Sequence, residues 1–202
     1  PYSYRKQINS IYGAVNLGWK HMLYFDATLR GDQSSTLPIS NNMYIYPSFS
    51  GSFVFSELLK LGDKLPYGKV RMSWAQVGSD TDPYQLGLVY TKSKFAYPGY
   101  TIGYISNGTI PNKDLKPTKT NSFEMGLELK FLKNRIGLDF TYYSQLSKNQ
   151  IMGMASSSTS GYGYRLINAG EIENKRCGNS FEHSSDSNER LLLGFEFQLL
   201  EE

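Results

Sequence analysis

Ser122–Phe131 reads SFEMGLELKF. Phe123, Met125, Leu127, Leu129 and Phe131 point one way; Ser122, Glu124, Gly126, Glu128 and Lys130 point the other. Successive side chains on a strand face opposite sides, so this segment has one apolar and one wet face. Strands of soluble proteins usually run to about 5–6 residues, whereas a tilted membrane-crossing strand needs about 9–11. A long, cleanly alternating stretch therefore predicts a piece of barrel wall.

The pattern recurs on both sides of this stretch. Ile11, Val15, Leu17 and Trp19 oppose Ser10, Tyr12, Ala14 and Asn16, and Leu23, Phe25, Ala27 and Leu29 oppose Tyr24, Asp26, Thr28 and Arg30. Ile45, Phe49, Phe53 and Phe55 oppose Tyr46, Ser48, Ser50 and Ser52, and Val70, Met72 and Trp74 oppose Lys69, Arg71, Ser73 and Ala75. Ile136, Leu138, Phe140 and Tyr142 oppose Gly137, Asp139, Thr141 and Tyr143. The expected fold is all-β: antiparallel transmembrane barrel strands, about six to seven of them, forming a partial barrel or open curved sheet. A soluble sandwich also alternates, with its apolar face inward, and strand length and loop asymmetry weigh against it.

The connections alternate between short and long. Lys20-His21 is a tight turn and Leu132 to Asn134 a short one, while Gly31 to Met43, Gly78 to Thr120 and Ser147 to Tyr162 are long and polar. Glu57 to Tyr67 is intermediate. Short turns on one side and long loops on the other suit a bacterial outer-membrane barrel with its long loops extracellular. Within the longest loop, YTKSKFAYPGYTIGY (Tyr90–Tyr104) alternates weakly and predicts a hairpin above the membrane.

Composition agrees. Charged residues make up 19% of 202 residues, and 16 Tyr and 11 Phe raise the aromatic share to 14%. Tyr and Trp suit the membrane–water boundary. Mean hydropathy is −0.42, and no run of about 18 apolar residues predicts a transmembrane helix. The net charge of +3 is scattered and marks no nucleic-acid binder. One cysteine, Cys177, excludes an internal disulfide framework. The chain opens at Pro1, so the export signal that an outer-membrane protein requires is expected to lie outside this sequence.

Catalytic chemistry finds no support. His21, beside Lys20 in a turn, has no nucleophile partner in the pattern. Asp80 and Asp82 in GSDTDPY offer oxygens for Ca²⁺ but more often shape a turn, so no metal site and no cofactor are assigned. Asn107-Gly108-Thr109 matches a glycosylation acceptor by a three-residue pattern only. Asp26, Arg30, Lys69, Arg71, Glu124, Glu128, Lys130 and Asp139 populate the polar face and suit a water-filled lumen. The loop aromatics Tyr84, Tyr90, Phe95, Tyr97, Tyr100 and Tyr104 are the candidates for ligand contact, because aromatic rings stack on the apolar faces of sugars and anchor interfaces.

Five blocks carry a resemblance: YFDATLRGDQSSTLP (Tyr24–Pro38), YPSFSGSFVFSELL (Tyr46–Leu59), GKVRMSWAQVGSDTDPYQL (Gly68–Leu86), NKDLKPTKTNSFEMGLELKFLKNRIGLDFTYYSQLSKNQI (Asn112–Ile151) and RLINAGEIENK (Arg165–Lys175). In this order they resemble the C-terminal barrel of SusC-type TonB-dependent outer-membrane transporters of Bacteroidetes. The resemblance implies an outer-membrane location among lipids and energy-coupled import of oligosaccharides or peptides. It also implies a SusD-like surface lipoprotein as lid and the TonB complex as motor. Plug, signal peptide and last barrel strands have no counterpart here, so the chain is expected to be a barrel fragment, inactive by itself. The competing expectations are a small standalone porin or adhesin barrel, and a soluble β-rich carbohydrate-binding module.

Residues 1–175 form the expected barrel unit, and residues 176–202 depart from it. There the chain reads RCGNSFEHSSDSNERLLLGFEFQLLEE and alternation fades. If Lys175 to Gly178 is encoded AAA AGG TGT GGA, loss of one A gives Lys-Gly-Val-Glu, the continuation the resemblance implies. The same shift can turn Leu191 to Glu201 into Tyr-Tyr-Trp-Asp-Leu-Ser-Phe-Asn-Phe-Ser-Lys, an alternating strand. The tail is therefore expected to be a frameshift product.

Overall fold

The computed structural model describes residues 4–59, 65–88, 90–94, 98–105, 108–184 and 190–199. Among these residues thirteen strands and one short α-helix follow in chain order: β1 (Ile8–Trp19), β2 (Leu23–Ser34), β3 (Met43–Val54), α1 (Phe55–Leu59), β4 (Tyr67–Ser79), β5 (Tyr90–Lys92), β6 (Gly103–Ile105), β7 (Thr109–Ile110), β8 (Thr118–Phe131), β9 (Ile136–Lys148), β10 (Ile151–Ala155), β11 (Tyr164–Asn168), β12 (Glu171–Ser184) and β13 (Arg190–Leu199). Eight of them form one antiparallel sheet in the order β1-β2-β3-β4-β8-β9-β12-β13. Among the described residues β1 and β13 do not pair with each other, so the sheet is open. Seven of its strands begin within residues 1–175, in line with the expected six to seven, and the eighth, β13, lies in the tail.

The wall strands run to 10–14 residues, longer than soluble strands need. Register places Met72, Met125 and Tyr142 in one row, then Val70, Leu127 and Phe140, then Gly68, Leu129 and Leu138. Phe49 stacks on Trp74 with ring centroids 6.1 Å apart. From Phe123 to Phe131 the apolar face covers about 27 Å along β8. At the usual barrel tilt that is about 20 Å of thickness, near the apolar band of about 25 Å in such walls. The Phe55 ring covers Gly68 at the turn end of this face, and the rows beyond it are largely exposed. Ile11 is 76% exposed, and Leu17, Trp19, Phe49 and Phe140 are exposed too. A sandwich would bury this surface under a second sheet; a barrel wall gives it to lipid.

The buried core lies elsewhere. Leu37, Tyr44, Leu115 and Leu166 form it, with Tyr46, Leu86 and Ile151 packed against them. All come from the end of the sheet where the long loops cluster. There β10 pairs with β11, and β11 with β7, as a small separate sheet. The loop hairpin expected within Tyr90–Tyr104 is present as β5 paired with β6.

Several boundaries move. β2 runs on to Ser34, and β4 and β8 absorb Gly78-Ser79 and Thr118 to Thr120, because ladder pairing extends above the apolar rows. At the opposite end Lys20 and His21 both take positive φ in a turn closed by the Met22 N–H donating to the Trp19 carbonyl at 3.0 Å. Leu132, Lys133 and Asn134 also take positive φ in the β8–β9 turn. β12 continues through Lys175 without a break and pairs with β9 as far as His183. Backbone pairing thus outlasts the side-chain alternation: Asn179 falls at an outward position opposite Phe140, where the pattern wants an apolar residue.

Candidate functional site

The polar face gathers the charged residues into connected groups. Arg71 on β4 reaches across β8 to Asp139 on β9, with Nη1 donating to Oδ2 at 3.0 Å and Nη2 to Oδ1 at 3.1 Å. Nη2 also donates to the Thr141 hydroxyl at 2.7 Å, and Nε lies 3.6 Å from Glu124. Such reach is possible because Gly126 stands between the two strands: a Cβ there would sit 2.4 Å from Arg71 Nε. Planar, two-pronged donation to a carboxylate is what the guanidinium does best.

Below this cluster Lys130 lies 3.5 Å from Glu128 and over the Tyr67 ring. Beside it, a shallow groove of about 240 Å³ is lined by Ser50, Ser52, Lys69, Arg71, Ser73 and Glu124. Asp26 accepts from Asn16 at 2.5 Å and from Ser50 at 3.1 Å. Arg30 Nε donates to Asp32 at 2.9 Å, and its Nη2 to the Ser10 hydroxyl at 3.2 Å. All eight polar-face residues named from the sequence therefore share one side of the sheet, and Arg71, Glu124 and Asp139 meet directly.

Sequence reasoning missed the rim network above them. Asp32 is buried and accepts the Tyr46 hydroxyl as well as Arg30. Asp80 accepts from Lys6 Nζ at 2.6 Å, from the fully buried Ser34 hydroxyl at 2.5 Å and from Thr36 at 3.1 Å. Burial works against charge on Asp80, yet hydrogen bonds from Lys6, Ser34 and Thr36 hold its carboxyl below the ordinary carboxylate value. These partners lie 44–74 residues away in sequence, and no local pattern announces them. Asp80 is thus committed to side-chain partners, and among the described residues no three metal-ligating groups gather.

The loop aromatics do not converge. Tyr84 is 60% exposed, holds a positive φ of 64° and lines a pocket of about 560 Å³ with Gln85, Thr109, Gly153, Tyr164 and Leu166. Tyr164 was not singled out from the sequence, where it reads only as one Tyr among many. Tyr90 faces Ile105 across the β5–β6 hairpin and Tyr104 faces Thr91, so those two rings leave opposite faces. Tyr100 is exposed outside the pocket lining. Phe95, Tyr97 and Asn107 lie outside the described residues.

Known proteins match this arrangement. The family profile described as TonB dependent receptor-like, beta-barrel matches residues 1–175. TonB-dependent receptor P26 of Formosa agariphila is 25% identical over 172 residues, covering 84% of this chain and 17% of the relative. TonB-dependent receptor SusC of Bacteroides thetaiotaomicron is 30% identical over 147 residues, 68% of this chain and 15% of that one. The chain thus spans about a sixth of the length of these relatives. Among solved structures, the RagAB peptide transporter superposes with a TM-score of 0.85 at 21% identity, over 96% of this chain and 22% of the matched one. The siderophore receptor PirA of Pseudomonas aeruginosa gives 0.62 at 17% identity, over 96% and 34%. The last two establish the shared fold; the profile establishes kinship. With apolar rows on one face of its sheet and charged residues on the other, the chain belongs to the TonB dependent receptor-like β-barrel family of the outer membrane.

Proposed function

We propose that this chain is part of the wall of an energy-coupled importer that carries oligosaccharides or peptides across the outer membrane. The observation that carries the reading is the polarity of the sheet: apolar rows outside, and inside a continuous charged surface centred on Arg71, Glu124 and Asp139. A channel wall that packs against a plug needs such a wet, mixed-charge lining. Kinship with SusC and likeness to the RagAB peptide transporter support this class of cargo. On this reading the wall works with a SusD-like surface lipoprotein and the TonB complex and performs no chemical reaction. Tyr84 and Tyr164 at the loop pocket are the aromatic contacts for cargo.

An eight-stranded open sheet would not transport by itself, because transporters of this class have 22 strands around a plug and unpaired edges in lipid cost several kcal/mol per polar group. The unit that transports is the whole barrel. The experiment is deletion of the gene in its host, followed by growth and uptake on a panel of oligosaccharides and peptides. Loss of uptake of one nutrient class supports the reading. Unchanged uptake of every class, with the protein present in the wild-type outer membrane, overturns it.

The tail after Lys175 belongs to the same proposal. The family match stops at residue 175, and four residues on Asn179 takes the outward position opposite Phe140. Both support a shifted reading frame that leaves residues 176–202 outside the selected wall. Resequencing the genomic DNA through the Lys175 codon tests this, and an intact frame there refutes it.

A further inference from the structure

Where the apolar rows end on the long-loop side, the outward face turns basic. Gln76 donates to Asn121 at 2.8 Å, and one row higher Lys119 stands opposite Lys148. Lys148 has a partner, Glu171, at 3.1 Å. Lys119 and nearby Lys116 have no ion pair among the described residues, and both line a groove of about 630 Å³. Met43 and Ile45 form its apolar wall, exposed by 63% and 52%, and Asn41 and Asn149 add polar edges. Met43, Ile45 and Lys119 all hold outward register positions, on the side given to lipid.

Lys116 is held in place. The Asn168 side chain accepts from the Lys116 backbone N–H at 2.8 Å and donates to its carbonyl at 2.7 Å, while also donating to the Asn149 carbonyl at 3.0 Å. Its neighbour Leu115 is fully buried in the loop core. The backbone that carries this ammonium is therefore fixed before any ligand arrives, which lowers the ordering cost of binding.

We propose that this groove seats the phosphorylated headgroup of an outer-leaflet lipid, with Lys116 and Lys119 on the phosphate and an acyl chain along Met43 and Ile45. Two ammonium groups above an apolar wall, at the upper edge of the band of lipid-facing rows, match a molecule that is anionic at its head and apolar below. A lysine is a competent point-charge partner for phosphate, and basic pockets at this depth bind lipid headgroups in membrane proteins. The proposal requires only that the sheet spans the membrane; it does not depend on which nutrient is imported.

The test uses the intact outer-membrane protein, extracted in a nonionic detergent, stripped of lipid and titrated with diphosphoryl lipid A under native mass spectrometry. Lys116→Gln/Lys119→Gln is expected to bind about tenfold more weakly or worse, and Lys116→Arg/Lys119→Arg to retain binding. Chemically dephosphorylated lipid A is expected to bind the wild-type and the Gln variant equally poorly. Equal affinity of wild-type and Gln variant for the phosphorylated lipid would overturn the assignment. So would equal binding of the dephosphorylated lipid, or a Gln variant that keeps its lipid and loses a protein partner instead. None of these results bears on nutrient uptake, so the two proposals fail separately.

Discussion

Replacing Arg71 with Met keeps most of the side-chain volume and removes the charge at the centre of the inner face. Three hydrogen bonds go with it, two to Asp139 and one to Thr141. It also leaves Asp139 directly opposite Glu128 in the ladder with no cation bridging over from β4, and like charges placed so are unfavourable. Breaking a fully buried ion pair costs about 3–5 kcal/mol, and an exposed one about 0.2–1 kcal/mol. The two side chains keep 34% and 29% of their exposure, so Arg71→Met is expected to destabilise the barrel by about 1–2 kcal/mol. Asp139→Asn alone should cost less, since it also relieves Glu128. The double variant should recover part of the loss, giving a coupling of about 1 kcal/mol. Urea unfolding of the intact barrel in detergent micelles, with all four proteins compared, measures this. The coupling should shrink in 1 M salt, where screening reaches about 3 Å. Gly126→Leu, with its Cβ in the path of the guanidinium, should mimic the loss of Arg71 although the arginine is still there. Strict additivity of Arg71→Met and Asp139→Asn would refute the reasoning.

The apolar rows make a second prediction: Leu127→Arg, mid-row on the outward face, should cost about 2–4 kcal/mol and cut the fraction assembled into membranes, while Glu128→Arg on the inner face should assemble nearly normally. Equal assembly of the two would mean that the faces have been assigned the wrong way round. At the rim, Asp80 has a depressed folded pKa, so its contribution is present above the unfolded carboxylate value of about 3.9 and disappears as pH falls through the lower folded value. The long loop should therefore become cleavable below about pH 4, read with an acid-active protease, and Asp80→Asn should already be cut fast by a neutral protease near neutrality and show a weaker acid dependence. For cargo, Tyr84→Ala and Tyr164→Ala should each reduce uptake in the host, whereas Tyr100→Ala, outside the pocket, should leave it unchanged; the reverse order would remove the pocket from the cargo path.

The wall was legible in the sequence because its physics is local. Alternation of Phe123, Met125 and Leu127 against Glu124, Gly126 and Glu128 needs no knowledge of partners, and register only repeats it across neighbours. What holds the rim together is nonlocal. Asp80 meets Lys6, Ser34 and Thr36 only once the segment before β1, the end of β2 with its following loop, and the loop after β4 have been brought to one end of the sheet, and each of these residues by itself resembles ordinary loop polarity. Tyr164 escaped notice for the same reason: its importance comes from standing near Tyr84, eighty residues earlier. The ladder beyond Lys175 shows the opposite error. Backbone pairing between β12 and β9 is indifferent to side chains, so it carries on past Asn179, where a polar residue takes an outward position opposite Phe140.

The buried core at the loop end has a consequence for how such proteins diversify. Leu37, Tyr44, Leu115 and Leu166 come from separate segments, yet they fill one another's space. A graft that imports one loop from a relative would bring a side chain shaped for a different set of neighbours and leave a void or a clash. Cargo preference should therefore pass between relatives as a block. Chimaeras that exchange residues 35–46, 80–117 and 149–170 together, Tyr44 included, should fold and carry the donor's preference, where single exchanges of any one of them should come apart.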